Sequence, residues 1–127
     1  MENNPLKKRI LLIDDDELLV GLLALNLIKE KYEIILAHNG TEAIRVLSQQ
    51  SVDMIIVDLM MPEMDGLAFL NWLRLQAKAT MPALVLTGMT TTNTEQQVID
   101  AGGTALLYKP IKVPELLAKI KQLEQLI

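Results

Sequence analysis

The sequence predicts an α/β domain in which five parallel strands form one doubly wound sheet, ordered 2-1-3-4-5, with helices on both faces. Three observations carry this prediction. Short apolar runs alternate strictly with longer segments of helical spacing. The runs are almost unbroken by polar residues, as in strands buried on both faces. The connections are short, which suits repeated strand–helix crossovers. With 127 residues, 50% of them apolar and 22% charged, the chain has the size of one domain and enough apolar surface for a core without staples.

The first run is Ile10–Ile13. It leads into Leu18–Ile28, where Leu18, Leu22, Leu25 and Ile28, with Leu19 and Leu23, form the apolar stripe expected of a core helix. Asp14, Asp15, Asp16 and Glu17 separate this segment from Lys7, Lys8 and Arg9. A membrane-spanning helix needs about 20 apolar residues, so a signal peptide or membrane span is not expected here. The second run, Glu33–Ala37, passes through an Asn39-Gly40 turn to a helix with Thr41 as its expected N-cap and Ala43, Ile44 and Leu47 inward. The third, Met54–Val57, is followed by the turn Met64-Asp65-Gly66 and a stripe of Leu67, Leu70 and Leu73. The fourth, Ala83–Leu86, precedes a short helix with Val98 and Ile99 that stops at Gly102-Gly103, where a left-handed residue is wanted. The fifth, Ala105–Tyr108, precedes a helix with Pro114 in its first turn and Leu116, Leu117, Ile120, Leu123 and Ile127 along one side. Val113 is a poor N-cap for that last helix.

Composition excludes several functions. There is no cysteine, hence no disulfide framework, thiolate metal site or cysteine nucleophile. The net charge of −4 argues against general affinity for nucleic acid. One Phe, one Trp and two Tyr provide almost nothing for a base-stacking surface. The single histidine, His38, follows the second strand, an edge strand in this order, and is expected in a solvent-exposed turn. The seven methionines read as gap fillers. A cytoplasmic location is expected.

Ligands of open α/β sheets bind outside the carboxyl ends of the strands. There the sequence places Asp14, Asp15 and Asp16 after strand one, Asp58 after strand three, Thr87-Gly88 after strand four and Lys109-Pro110 after strand five. Two carboxylates about 4 Å apart repel by about 4 kcal/mol at an effective dielectric near 20. A cation among them relieves this, and carboxylate and carbonyl oxygens suit a hard divalent ion such as Mg²⁺. A divalent ion, an ammonium and a hydroxyl together match the charge of a transferring phosphoryl group. A carboxylate can itself accept that group as an acyl phosphate. Asp58 stands alone at its strand end and is the nucleophile candidate; the Asp14–Asp16 cluster is the metal candidate. Each residue alone reads as a cap or loop residue, and it is the joint arrangement that points to this chemistry.

From Lys8 to Leu126 the sequence resembles the receiver domain of bacterial two-component response regulators. The segments that carry the likeness are ILLIDDDE (Ile10–Glu17), IIVDLMMPEMDG (Ile55–Gly66), LVLTG (Leu84–Gly88) and ALLYKP (Ala105–Pro110). The resemblance implies a (βα)5 flavodoxin-like fold and one receiver domain over residues 1–127, with a core of about 8–126 and no output domain. It implies phosphorelay signalling by a regulatory protein, not an enzyme acting on other substrates. Asp58 would be the phospho-acceptor, in a Mg²⁺-dependent transfer that the domain itself catalyses along with slow dephosphorylation. Asp15 would bind the metal directly and Asp14 largely through water, together with Asp58 and the backbone carbonyl of Met60; Asp16 would not be a ligand. Thr87 would hydrogen-bond the phosphoryl group and Lys109 would pair with it, across a Lys109-Pro110 bond that is commonly cis. The implied partners are a sensor histidine kinase or phosphotransfer protein, and a downstream protein or output domain reached through the face of helix four, strand five and helix five. Phosphorylation-dependent dimerisation, and neither nucleic acid nor membrane as a direct partner, complete the expectation.

Departures from the family pattern are also visible. Leu106 occupies the position of the usual Tyr or Phe. The nearby Tyr108 is read as pointing to the opposite face of its strand. Met60 and Met89 occupy rim positions that vary in the family and influence phosphoryl lifetime. Two other enzyme classes fit poorly. A haloacid-dehalogenase-type phosphatase needs D-x-D-x-T, and Leu18 stands where the threonine would be. A dinucleotide-binding enzyme needs a glycine-rich turn after strand one, and the only glycine nearby, Gly21, lies inside the first helix. An interaction module that is never phosphorylated is disfavoured by the intact Asp58, Thr87 and Lys109.

Overall fold

The computed structural model describes residues 7–88, 91 and 93–127. Met89 therefore lies outside the described residues. The strands are β1 (Arg9–Ile13), β2 (Glu33–Ala37), β3 (Met54–Asp58), β4 (Ala83–Thr87) and β5 (Ala105–Tyr108). They pair in parallel in the order β2-β1-β3-β4-β5. The helices are α1 (Glu17–Lys29), α2 (Gly40–Gln49), α3 (Gly66–Asn71), α4 (Thr94–Ala101) and α5 (Val113–Glu124). Trp72–Gln76 prolongs α3 as a wider helical turn, closed by a bond from Ala77 N–H to the Trp72 carbonyl (3.0 Å).

The two-residue period of the strands divides the core. Ile10 and Leu12, Met54 and Ile56, and Leu84 and Leu86 face α1 and α5, where they meet Leu23, Leu27, Leu116 and Ile120. Leu11 and Ile13, Ile55 and Val57, and Ala83 and Val85 face α2, α3 and α4, where they meet Ala43, Phe69, Leu70, Leu73 and Val98. Both faces are sealed, which is why these strands read as continuous apolar runs.

The first helix exists where expected but turns its other side inward. Val20, Leu23, Ala24 and Leu27 are buried, whereas Leu18 (88% exposed), Leu22, Leu25 and Ile28 are each more than half exposed. Of the stripe assigned to the core, Leu23 is buried and Leu19 packs half-buried against the core, while Leu18, Leu22, Leu25 and Ile28 face solvent, because α1 is apolar on both sides. Three local readings also change. Asn39, not Thr41, caps α2, its side-chain oxygen accepting from Glu42 N–H at 2.8 Å. The N-cap of α5 is Lys112, which makes no side-chain cap bond, and Val113 is already helical. Leu106 packs with the α2–α3–α4 cluster while Ala105 and Leu107 pack with the other. By the two-residue period Tyr108 shares the side of Leu106, not the opposite one.

Gly102 ends α4 at φ +106°, as the Gly-Gly signal predicts. Arg74 fills the space beside it. Its Nε donates to the Gly102 carbonyl (3.0 Å) and its Nη1 to the Ala79 carbonyl (3.0 Å). A Cβ at Gly102 would lie 2.4 Å from Arg74 Cγ. Gly102→Ala combines this clash with a left-handed backbone and is expected to lose roughly 1–3 kcal/mol. Gly21→Ala, in open space within a helix, is expected to gain up to about 1 kcal/mol. Urea denaturation midpoints measure both, and equal midpoints would contradict this account.

Candidate functional site

The parallel register brings the predicted residues together. Ile13 pairs with Val57, so Asp14 and Asp58 emerge side by side at the carboxyl ends of β1 and β3. Asp14 is 1% exposed and Asp58 4%. Thr87 ends β4 and is buried, and its carbonyl accepts the backbone N–H of Lys109 (2.8 Å). That bond ties the ends of β4 and β5 and starts Lys109 toward the carboxylates. The Lys109-Pro110 bond is cis, as expected. The Lys109 ammonium lies 3.3 Å from Asp14 Oδ2 and 3.4 Å from Asp58 Oδ2.

Local chemistry holds each carboxylate. Asp14 Oδ1 accepts from Asp16 N–H (2.9 Å), and Asp58 Oδ1 accepts from Met60 N–H (3.2 Å). Asp16 turns away to cap α1, accepting from Leu19 N–H (3.2 Å). Behind Asp58 the chain folds back sharply. Gly66 N–H donates to the Leu59 carbonyl (2.8 Å), and a Cβ on Gly66 would meet the Asp58 carbonyl at 2.7 Å. Only glycine lets α3 begin this close to the strand end. Asp65 caps α3, accepting from Ala68 N–H (2.8 Å). This contribution of Asp65 went unread, although an acidic residue directly before an apolar helical stripe is its usual signal.

Asp14, Asp15 and Asp58 present carboxylate oxygens within 4.8 Å of one another. Asp15 is exposed and opens the cluster to solvent. The site thus gathers three carboxylates around one ammonium, an all-oxygen donor set left net negative. That fits a hard divalent cation, which would replace the missing positive charge. His38 stands apart in an exposed turn, its Nδ1 3.1 Å from Glu42 Oε1. Met60, 58% exposed, stands at the rim.

Burial is the main force raising the Asp58 pKa, and the Asp14 charge adds to it; Lys109 and the Met60 N–H oppose them. The net result lifts it from 3.8 to about 6. Burial works against the Lys109 charge, but Asp58 and Asp14 outweigh it and hold its pKa above the ordinary range.

The comparisons with known proteins agree with this geometry. Residues 10–121 match the response regulator receiver domain family. The chain is 36% identical over 115 residues to the response regulator MprA of Mycobacterium ulcerans (strain Agy99), covering 91% of this chain and 49% of that protein. It is 33% identical over 116 residues to the alkaline phosphatase synthesis transcriptional regulatory protein PhoP of Bacillus subtilis (strain 168), covering 91% and 48%. The chain spans about half the length of these curated relatives. Its fold matches the chemotaxis response regulator CheY4 of Vibrio cholerae with a TM-score of 0.86 at 29% identity, covering 92% of this chain and 98% of that one. The chain belongs to the response regulator receiver domain family, the phosphorelay signalling domains of two-component systems. Its role is regulatory. No helix among the described residues is long and apolar enough to cross a membrane.

The raised Asp58 pKa has a consequence for stability. A carboxyl whose folded pKa exceeds its unfolded value favours the protonated native state, so its cost is absent below about pH 4 and complete above about pH 6. In chelator, Asp58→Asn is therefore expected to stabilise the fold by roughly 2–3 kcal/mol at pH 7.5, with the gain vanishing as pH falls through 6 to 4. Thermal melts of both proteins across that range check this; a pH-independent difference would contradict it.

Proposed function

We propose that Asp58 accepts a phosphoryl group from a phosphohistidine donor, either a sensor histidine kinase or a phosphotransfer protein, and that the modified domain then controls a downstream protein or output domain. The observation that carries this reading is the buried Asp14–Asp58 pair sharing one ammonium, with Thr87 at the adjoining strand end. In the transfer, an Asp58 carboxylate oxygen attacks phosphorus. A P–O bond forms, the P–N bond of the donor breaks, and the imidazole leaves with its electron pair. Lys109 pairs with a phosphoryl oxygen and the Thr87 hydroxyl donates to another. These groups meet charge that develops in the transition state, where fixed donors act most strongly. In dephosphorylation, water attacks phosphorus and the Asp58 carboxylate departs, so the domain catalyses both its own phosphorylation and its own slow reset.

Asp14, Asp15, Asp58 and the Met60 carbonyl would hold Mg²⁺, which supplies charge neutralisation for the transferring group. Asp15 is the direct ligand in this reading and Asp14 acts largely through water. We assign residues 1–127 to one receiver domain with a core of about 8–126, working in the cytoplasm. Its downstream contacts, including phosphorylation-dependent dimerisation, are assigned to the face of α4, β5 and α5. The naming of PhoP as a transcriptional regulatory protein supports a link to transcription at the level of the whole protein.

Two experiments test this. Acetyl phosphate with Mg²⁺ is expected to label the protein with acid-labile, hydroxylamine-sensitive phosphate that vanishes in Asp58→Asn and in Asp58→Ala. Undiminished labelling of either variant overturns the assignment. Asp15→Ala is expected to weaken Mg²⁺ binding by about tenfold or more, and Asp16→Ala far less, because Asp16 serves the helix cap. Titration calorimetry on both variants decides, and equal losses would refute the division of roles.

A further inference from the structure

The chain has seven methionines and no cysteine, so thioethers are its only sulfur groups open to oxidation. The fold protects them unequally. Met54 and Met61 are buried, and Met64 and Met81 are half-buried. Met64 lies so close to α2 that a Cβ at Gly40 would stand 2.6 Å from its sulfur. Among the described methionines Met60 alone is exposed. It is also the one beside the candidate nucleophile. Its N–H donates to Asp58 Oδ1, and with Asp15, Pro62, Leu67 and Gln97 it lines an open cleft of about 600 Å³.

The charge around this cleft favours oxygen transfer to sulfur. When a thioether attacks a peroxide, positive charge develops on the sulfur. Three carboxylates against one ammonium leave the neighbourhood net negative, which stabilises that charge. The Met60 sulfur gives a lone pair to one peroxide oxygen; an S–O bond forms and the O–O bond breaks. The departing hydroxide takes the remaining proton from the new S–OH group and leaves as water. Sulfur is oxidised by two electrons, and the peroxide is reduced to water.

The product changes the kind of donor at the rim. A thioether is soft and a poor partner for Mg²⁺, whereas a sulfoxide oxygen is hard and carries substantial negative charge. Bound Mg²⁺ keeps several waters, and a sulfoxide accepts hydrogen bonds from such polarised water where a thioether scarcely does. We propose that Met60 is a reversible oxidation site for peroxides, and that its sulfoxide strengthens Mg²⁺ binding at Asp14, Asp15 and Asp58. This rests on the reading of that cluster as the metal site. An oxidised chain then fills the site at lower Mg²⁺, and a methionine sulfoxide reductase returns it to the original state.

Brief hydrogen peroxide treatment in chelator, followed by peptide mass mapping, is expected to oxidise Met60 at least about fivefold faster than Met54 or Met61. Titration calorimetry with Mg²⁺ alone then compares the chain before and after treatment. The sulfoxide form is expected to bind about threefold to tenfold more tightly, and reductase treatment to restore the original affinity. Met60→Leu keeps the backbone carbonyl and removes the sulfur, so its affinity is expected to be the same before and after peroxide. Met60 oxidised no faster than Met54 overturns the proposal. So does equal Mg²⁺ affinity of the two forms. A tightening that persists in Met60→Leu overturns it as well, by assigning the effect to another methionine. Absence of Mg²⁺ binding in both forms overturns the metal reading and this one with it. No phosphodonor takes part, so these outcomes stand apart from the labelling of Asp58.

Discussion

Asp14 and Asp58 are carboxylates of adjacent strands, nearly sealed from water, and they share one ammonium. Most of the rest of the structure is arranged around that contact. Two buried like charges repel strongly at this separation, and Lys109 answers only part of the repulsion. The lysine must therefore arrive from a strand on the far side of β4, at the same height, with its side chain directed back across Thr87. Only a parallel sheet in the observed order puts the carboxyl ends of β1, β3, β4 and β5 on one rim. The backbone bond between Lys109 and Thr87 fixes the height, and the sealed sheet below keeps the pair in low dielectric, where a metal or phosphoryl group is felt most strongly.

The loops above the sheet serve the same end by a different means. Each carboxylate is steadied by a backbone N–H two residues further on, so neither depends on a long side chain for its orientation. Two later acidic residues, Asp16 and Asp65, are spent on helix N-caps. One local pattern, acid after strand and acid before helix, thus supplies both reactive groups and structural ones. What separates Asp14 and Asp58 from these caps is burial, because the caps look outward and this pair does not.

That difference explains how far the sequence could be read. The strands and their order were legible because a strand sealed on both faces has an unmistakable composition, and Asp14, Asp58, Thr87 and Lys109 were legible because each sits one step beyond such a run. The inward side of α1 was not. With Leu, Ile, Val or Ala on both faces, its periodicity supports either orientation, and only packing against β1, β3 and α5 chooses Val20, Leu23, Ala24 and Leu27. The cap of α2 was missed by two residues because Asn39 and Thr41 are both good caps, and the turn geometry decides. The wide turn after α3 leaves no composition signal at all, since Trp72–Gln76 reads as ordinary helix.

The elevated basicity of Asp58 bears on how long a modified state can last. A more basic carboxylate is a better nucleophile toward phosphorus, but it is also a poorer leaving group. Expelling it from an acyl phosphate would restore a buried negative charge directly beside Asp14, the same charge pair that raises the basicity in the first place. In such a transfer the negative charge would move from the buried carboxylate outward onto the phosphoryl oxygens, and release would have to rebuild the buried pair.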